Sequence, residues 1–189
     1  MSKTRLEAFS DAVIAIIMTV MVLELRVPHG ADWTALRPMV PSFLTYILSF
    51  VILGIYWNNH HHLLHAVEHV TGQVLWPNLH LLFWLSLIPF VTGWMGENHF
   101  AALPTAVYGV VLLMSAVSYT LLVMALVAGQ AHSSRLARAI GRDYKGKISL
   151  VLYAAAIPLA FVHQMISDAL YVTVALIWFI PDRRIEAQH

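Results

Sequence analysis

The chain has 189 residues, of which 59% are hydrophobic and only 11% are charged, and its net charge is +1 with histidine neutral. A soluble domain normally carries about 25% charged residues. A chain this short cannot bury such an apolar excess in one core, so we expect lipid to cover much of its surface. The small net charge gives no indication of nucleic-acid binding, and the lack of cysteine excludes disulfides and thiolate metal sites.

Apolar segments divide the chain into six predicted transmembrane helices, which form an all-α fold and a single domain over residues 1–189. The first segment contains Asp11 and lacks a small-residue cleavage site, so we interpret it as a retained helix and not as a signal peptide. Pro89 is expected to kink the third helix. The predicted helices cover about 4–25, 42–59, 75–94, 105–128, 148–163 and 167–180.

The last two predicted helices are short for a membrane span. About fourteen residues at ~1.5 Å each reach only about 21 Å, less than the ~30 Å hydrocarbon core. Ser167 and Asp168 form a good N-cap pair and would be a poor centre for a span. We therefore expect a shallow or partly shielded hairpin, with one broken helix as the alternative.

Lysine and arginine are distributed unevenly between the two sides of the predicted bundle. With six spans, the side that holds both termini carries nine basic residues, and the other side carries only Arg26 and Arg37. The positive-inside rule therefore places both termini in the cytoplasm. The nine residues are Lys3, Arg5, Arg135, Arg138, Arg142, Lys145, Lys147, Arg183 and Arg184.

Asp11 lies about two turns inside the first helix, where an unpaired carboxylate is costly. Arg5 cannot pair with it along the same helix, because six residues at ~100° each leave the two side chains roughly 120° apart. The cytoplasmic ends of helices 1, 2 and 3 meet at similar depth, which predicts a polar cluster there. The cluster is either a packing lock or a site that contacts ions directly. Its candidate members around Arg5, Ser10 and Asp11 are Trp57, Asn58, His60, His61, Trp76, Asn78 and His80.

An aliphatic stripe follows on the first helix. Ile16, Val20 and Leu23 are spaced i, i+4, i+7, which places them within about 60° of one another, and Thr19 lies beside them. Such a stripe faces lipid, packs against protein, or closes a pore by dewetting. A pore would require several copies around an axis, because one six-helix subunit is too small to enclose a channel.

Histidines cluster after the second helix. His61, His65 and His69 recur at i+4, which is metal-ligand spacing on a helix. The alternative is that they are interfacial and network histidines. His80, His99 and His163 are isolated along the sequence, and no second box of this pattern exists.

Several strings resemble one known family. Arg5 followed by Phe9-Ser10-Asp11-Ala12 and an aliphatic run with Thr19 is similar to the signature of the lysosomal-type potassium channel family, transmembrane protein 175, in its prokaryotic branch. The resemblance continues nearly to the end of the chain. It includes Tyr56-Trp57, His60-His61, Asn78, Leu87 with Pro89-Phe90, and the string from Trp178 to Glu186.

This resemblance implies a homotetramer of six-helix subunits in which helix 1 lines a potassium pore without a carbonyl filter. By position, Ile16 corresponds to the constriction, and Thr19, Val20 and Leu23 to further pore-facing layers. The implied polar network comprises Arg5, Phe9, Ser10, Asp11, Trp57, His60 or His61, and Asn78. Val20 is smaller than the leucine of some relatives, which implies a looser second layer and weaker selectivity.

We therefore expect a potassium channel in the cell membrane, with the bilayer, monovalent cations and other copies of itself as partners, no nucleic acid and no cofactor. The chain is not expected to be an enzyme. The alternatives are a His-cluster membrane metalloprotein and a proton-coupled carrier.

Overall fold

The computed structural model describes residues 2–67, 70–129 and 144–179, and the regular structure in these ranges is helical. This confirms the all-α prediction. Short 3-10 turns occupy Met21–Glu24, Trp33–Ala35, Arg37–Met39 and Gly72–Val74. The α-helices are α1 (Lys3–Val20), α2 (Val40–His65), α3 (Leu75–Ser86), α4 (Ile88–Glu97), α5 (Ala102–Ala128), α6 (Tyr144–Leu159) and α7 (Gln164–Phe179).

Helices α3 and α4 are two halves of one bent span. The break falls at Leu87, and Pro89 lies in the first turn of α4, where its missing N–H costs no helical hydrogen bond. The predicted kink is therefore confirmed, and the described chain contains six helical units. Among the described residues, four stretches are long and apolar enough to cross a membrane: Lys3–Glu24, Trp33–His65, Gly72–Glu97 and Ala102–Ala128.

The last two helices form a hairpin, as predicted, and the shallow placement of this hairpin in the membrane stays a prediction. Helices α6 and α7 have 16 residues each and pack against each other across a turn that ends at His163. The predicted N-cap pair is wrong, because α7 begins at Gln164 and includes Ser167 and Asp168. The Ser167 hydroxyl instead donates to the carbonyl of Ala156 on α6 at 2.7 Å, so that it ties the two helices together.

Other predicted boundaries also shift. Helix α1 ends at Val20 and not at the predicted Leu25. Helix α2 extends to His65, so the clustered histidines up to His65 lie in its last turns. The fifth predicted helix, expected from about residue 148, begins earlier, because α6 already starts at Tyr144. Residues 130–143 and the C-terminal string from residue 180 lie outside the described ranges.

Helices α1 and α5 pack against different sets of neighbours. Helix α1 packs against α2, α3 and α4, whereas α5 packs against α3, α4, α6 and α7. Helix α1 turns one side inward, where Leu6, Ser10, Ile14 and Ile17 are buried. Its other side remains exposed on the subunit.

Glycines set the closest helix contacts. A methyl group on Gly96 of α4 would lie 2.7 Å from the Cα atom of Ser42 on α2, whereas one on Gly54 of α2 would meet nothing within 4 Å. We expect Gly96→Ala to lower the free energy of unfolding by about 1–3 kcal/mol through overpacking. Gly54→Ala should be neutral or stabilising, because alanine is the better helix former. Unfolding in mixed detergent micelles measures both, and equal effects would contradict the close-packing argument.

Candidate functional site

Three helices are joined by a buried chain of hydrogen bonds. The amide nitrogen of Asn78 on α3 donates to the Ser10 hydroxyl of α1 at 2.9 Å, and the Asn78 carbonyl oxygen lies 2.8 Å from Nε2 of His60 on α2. All three side chains are fully buried. We call Ser10, His60 and Asn78 the buried lock. It brings together three of the predicted network residues at one level of the bundle.

The buried lock defines which imidazole nitrogen of His60 carries a proton. Since the Asn78 oxygen accepts, His60 donates through Nε2. The Nδ1 atom of His60 is buried and has no hydrogen-bond partner among the described residues. A proton there would be an unsatisfied buried donor, so the arrangement favours the neutral ring.

A second, more exposed group lies at the same end of α1 and α2. The Trp57 indole N–H donates to an Asp11 carboxylate oxygen at 3.1 Å, and the His61 ring stacks on Trp57 with centroids 6.2 Å apart. His61 Nδ1 lies 3.5 Å from a carboxylate oxygen of Glu7, a residue that the sequence reasoning did not single out. Glu7 lies four residues before Asp11, so the two carboxylates share one face of α1, and this spacing could have identified Glu7 as a member of the cluster. We call Glu7, Asp11, Trp57 and His61 the mouth group.

Arg5 and Phe9 lie apart from both groups. Both side chains are exposed on α1. In the part of the chain that the structure describes, no hydrogen bond or ion pair to the Arg5 guanidinium is present. The predicted network therefore resolves into the buried lock, the mouth group and two outward-facing side chains of α1.

His80 was placed near Asp11 by the topology argument, and this placement is wrong. Its Nε2 accepts from the Trp84 indole N–H at 3.0 Å, and its Nδ1 lies 2.9 Å from the Ser118 hydroxyl of α5. Because Nε2 accepts, Nδ1 donates, and the ring is neutral in this arrangement. His80 thus ties α3 to α5. Two other expected neighbours, Asn58 and Trp76, are exposed.

The predicted stripe on α1 is exposed on the isolated subunit. Ile16 is 60% and Leu23 is 77% exposed, and Thr19 and Val20 are also exposed. Leu23 lies on the 3-10 turn, where side chains three residues apart eclipse, so it remains on the side of Val20. The Thr19 hydroxyl donates to the Ile16 carbonyl at 2.9 Å, which leaves its oxygen lone pairs available to accept.

The predicted metal spacing is only partly described. The rings of His61 and His65 stack with centroids 6.0 Å apart, and His69 lies outside the described residues. Within residues 2–67, 70–129 and 144–179, no three His, Cys, Asp or Glu side chains converge as a metal site would require.

These features define a multi-pass α-helical membrane protein. Its helices are long and apolar, the buried lock joins three of them, and the stripe on the first helix is exposed. The family model described as endosomal/lysosomal potassium channel TMEM175 matches residues 5–89. A potassium channel from Chryseobacterium is 53% identical over 98% of this chain and 97% of its own length. One from Streptomyces collinus is 31% identical over 91% and 89%.

A solved structure has the same fold. The crystal structure of a lysosomal potassium-selective channel TMEM175 homolog from Chamaesiphon minutus matches with a TM-score of 0.84 and 26% identity, over 96% of this chain and 97% of that one. The chain therefore belongs to the TMEM175 family, which confirms the resemblance. The family places it among ion channels and not among enzymes.

Proposed function

We propose that this chain conducts potassium across the cell membrane as a homotetramer whose pore is lined by α1. The observation that carries the proposal is the exposed Ile16–Leu23 stripe on a helix whose opposite side is fully buried. One subunit cannot surround its own α1, so a closed symmetric assembly is needed to bring the stripes together. The potassium channels named among the relatives support the choice of ion.

In this proposal Ile16 forms the constriction. The sequence contains no Thr-Val-Gly-Tyr-Gly string, so a carbonyl filter of that type is not available. A ring of isoleucine side chains would oppose the hydration of the pore, and ions would cross only when water fills it. Thr19, one turn further, would offer hydroxyl oxygens to a partly dehydrated cation, and Val20 and Leu23 would continue the apolar wall.

The buried lock and the mouth group would hold α1 in register rather than filter ions. The buried lock ties α1 to α2 and α3 at one level. Arg5 and Phe9 would meet neighbouring subunits at the cytoplasmic mouth. The cytoplasmic placement of both termini rests on the uneven distribution of lysine and arginine.

A bi-ionic recording of the purified protein in planar bilayers tests the proposal. Potassium on one side and sodium on the other should give a current whose reversal potential favours potassium. The current should grow with voltage without a counter-ion requirement. A saturable flux that needs a coupled proton would favour a carrier, and bilayers without any current would contradict conduction.

Asp11 provides a test of the mouth group. Asp11→Ala removes the acceptor of the Trp57 indole N–H, and we expect it to lower tetramer yield and potassium flux through a loss of about 1 kcal/mol. Asp11→Asn keeps the carbonyl acceptor and should stay close to the wild-type channel. Trp57→Phe should match Asp11→Ala, and the double variant should add little. Additive effects would contradict a shared hydrogen bond.

A further inference from the structure

A cavity that is partly open to the outside lies between α2, α5, α6 and α7. Its lining residues come from the C-terminal halves of α2, α5 and α7 and from the first half of α6. Those segments share the end of the bundle that holds the N terminus. None of the described lining residues belongs to α1, so the cavity is separate from the exposed face of that helix.

The walls of this cavity combine apolar side chains with two phenols. Ile52, Ile55 and Val174 provide apolar surface. Tyr56 and Tyr153 also line the cavity, and Tyr153 is only 3% exposed. No hydrogen bond to either hydroxyl is present among the described residues, and neither belongs to the fully enclosed atoms that lack a partner. Buried tyrosine hydroxyls usually find a partner, so these two point to a ligand that has polar atoms as well as an apolar body.

A cation lies at the edge of the cavity. Lys145 at the start of α6 has its ammonium 6.0 Å from the centre of the Trp178 ring, and Trp178 lines the cavity. The Trp178 indole N–H donates to the Ser149 hydroxyl at 2.8 Å, which holds the ring in place. A tryptophan beside a lysine is typical of the level at which acyl chains give way to headgroups.

We propose that this cavity binds an anionic phospholipid, with one acyl chain between the helices and the phosphate beside Lys145. Apolar walls at membrane depth suit an acyl chain, the tyrosine hydroxyls suit its ester oxygens, and the lysine supplies charge complementarity. Basic pockets between helices on the cytoplasmic side of membrane proteins bind such headgroups.

Such a lipid would join the short α6–α7 hairpin to the longer helices. Both hairpin helices line the cavity together with α2 and α5. An acyl chain placed there contacts all four helices at once. The bound lipid should therefore raise the thermal stability of the full protein, whether or not current flows.

Native mass spectrometry of the delipidated full-length protein tests this. Phosphatidylglycerol and phosphatidylcholine with identical acyl chains serve as probes. We expect one phosphatidylglycerol per subunit, bound about tenfold more tightly than phosphatidylcholine, a ratio that corresponds to about 1.4 kcal/mol. Phosphatidylglycerol should also raise the thermal midpoint more than phosphatidylcholine does. Equal binding of the two lipids by the wild-type protein would overturn the proposal.

Two variants with matched controls locate the site. Ala116→Leu fills the cavity from α5 and should abolish the tight phosphatidylglycerol adduct, whereas Ala154→Leu, at an exposed position on α6, should not. Lys145→Gln leaves the cavity open and should remove only the preference for phosphatidylglycerol, whereas Lys147→Gln should keep it. If both Ala116→Leu and Lys145→Gln bind phosphatidylglycerol as tightly and as selectively as the wild-type protein, the lipid binds elsewhere and the assignment is wrong.

Discussion

Ile16→Ala is expected to raise sodium flux about tenfold and to bring the potassium-to-sodium permeability ratio close to one. The proposed barrier at Ile16 comes from four branched side chains that exclude water from the narrowest ring. Truncation to alanine widens and wets that ring, so hydrated sodium passes with less dehydration. A tenfold rise corresponds to a barrier lowered by about 1.4 kcal/mol. Ile16→Asn should act in the same direction, because the amide hydrates the ring directly.

The control for Ile16 must have the same residue type and a similar exposure. Ile47 on α2 is 56% exposed, compared with 60% for Ile16, and lies outside the stripe. Ile47→Ala should leave both flux and selectivity unchanged. Ion uptake into liposomes that contain equal amounts of each variant, with potassium or sodium inside, measures the ratio. If Ile16→Ala and Ile47→Ala behave alike, Ile16 faces lipid and the constriction lies elsewhere.

Exposure on one subunit cannot separate a pore face from a lipid face. Both environments lie outside the subunit, and both accept isoleucine and leucine. The i, i+4, i+7 pattern therefore predicted that Ile16, Val20 and Leu23 share a face, but not what that face contacts. Whether the stripe faces a pore depends on how the subunits assemble. The flux measurement with the matched Ile47 control tests this assignment directly.

The helices were predictable because apolar length and proline position determine them locally. Pro89 marked the bend between α3 and α4, and Gly129 follows the last residue of α5. The boundary errors have a tertiary cause. Ser167 has the chemistry of an N-cap, but the Ala156 carbonyl of the neighbouring helix accepts its hydroxyl proton, so α7 begins one turn earlier.

The sequence indicated which residues lie near the buried lock, but not which histidine belongs to it. Chain topology brought the ends of α1, α2 and α3 together, which placed Ser10, Asn78 and a histidine at one level. His60 and His61 remained undecided, because adjacent helical residues point about 100° apart and only the rotation of α2 determines which one faces inward. The structure buries His60 and leaves His61 in the mouth group. His80 was misplaced for the same reason, since the rotation of α3 directs it toward α5.

Asn78→Leu is expected to lower the free energy of unfolding by about 2–4 kcal/mol. Leucine has the same number and branching of side-chain heavy atoms as asparagine, but it leaves the His60 N–H and the Ser10 hydroxyl buried beside a hydrocarbon surface. Each unsatisfied buried group costs about 1–3 kcal/mol. Hydrogen bonds within membranes average nearer 0.6 kcal/mol, because partly unfolded states find other partners, so the lower half of the range is favoured. Equilibrium unfolding in mixed detergent micelles measures the loss.

Two further variants separate hydrogen bonding from shape. Asn58→Leu changes an exposed asparagine two residues before His60 on α2, and it should leave the free energy of unfolding almost unchanged. The triple variant Ser10→Ala, His60→Leu, Asn78→Leu removes every polar group of the buried lock, so no buried donor or acceptor of the lock remains unpaired. Apolar replacement of all partners is often nearly neutral, and the triple variant should therefore recover most of the stability that Asn78→Leu alone loses. A triple variant less stable than Asn78→Leu would mean that the site requires the shape of these side chains, and α1 would then owe its position to packing.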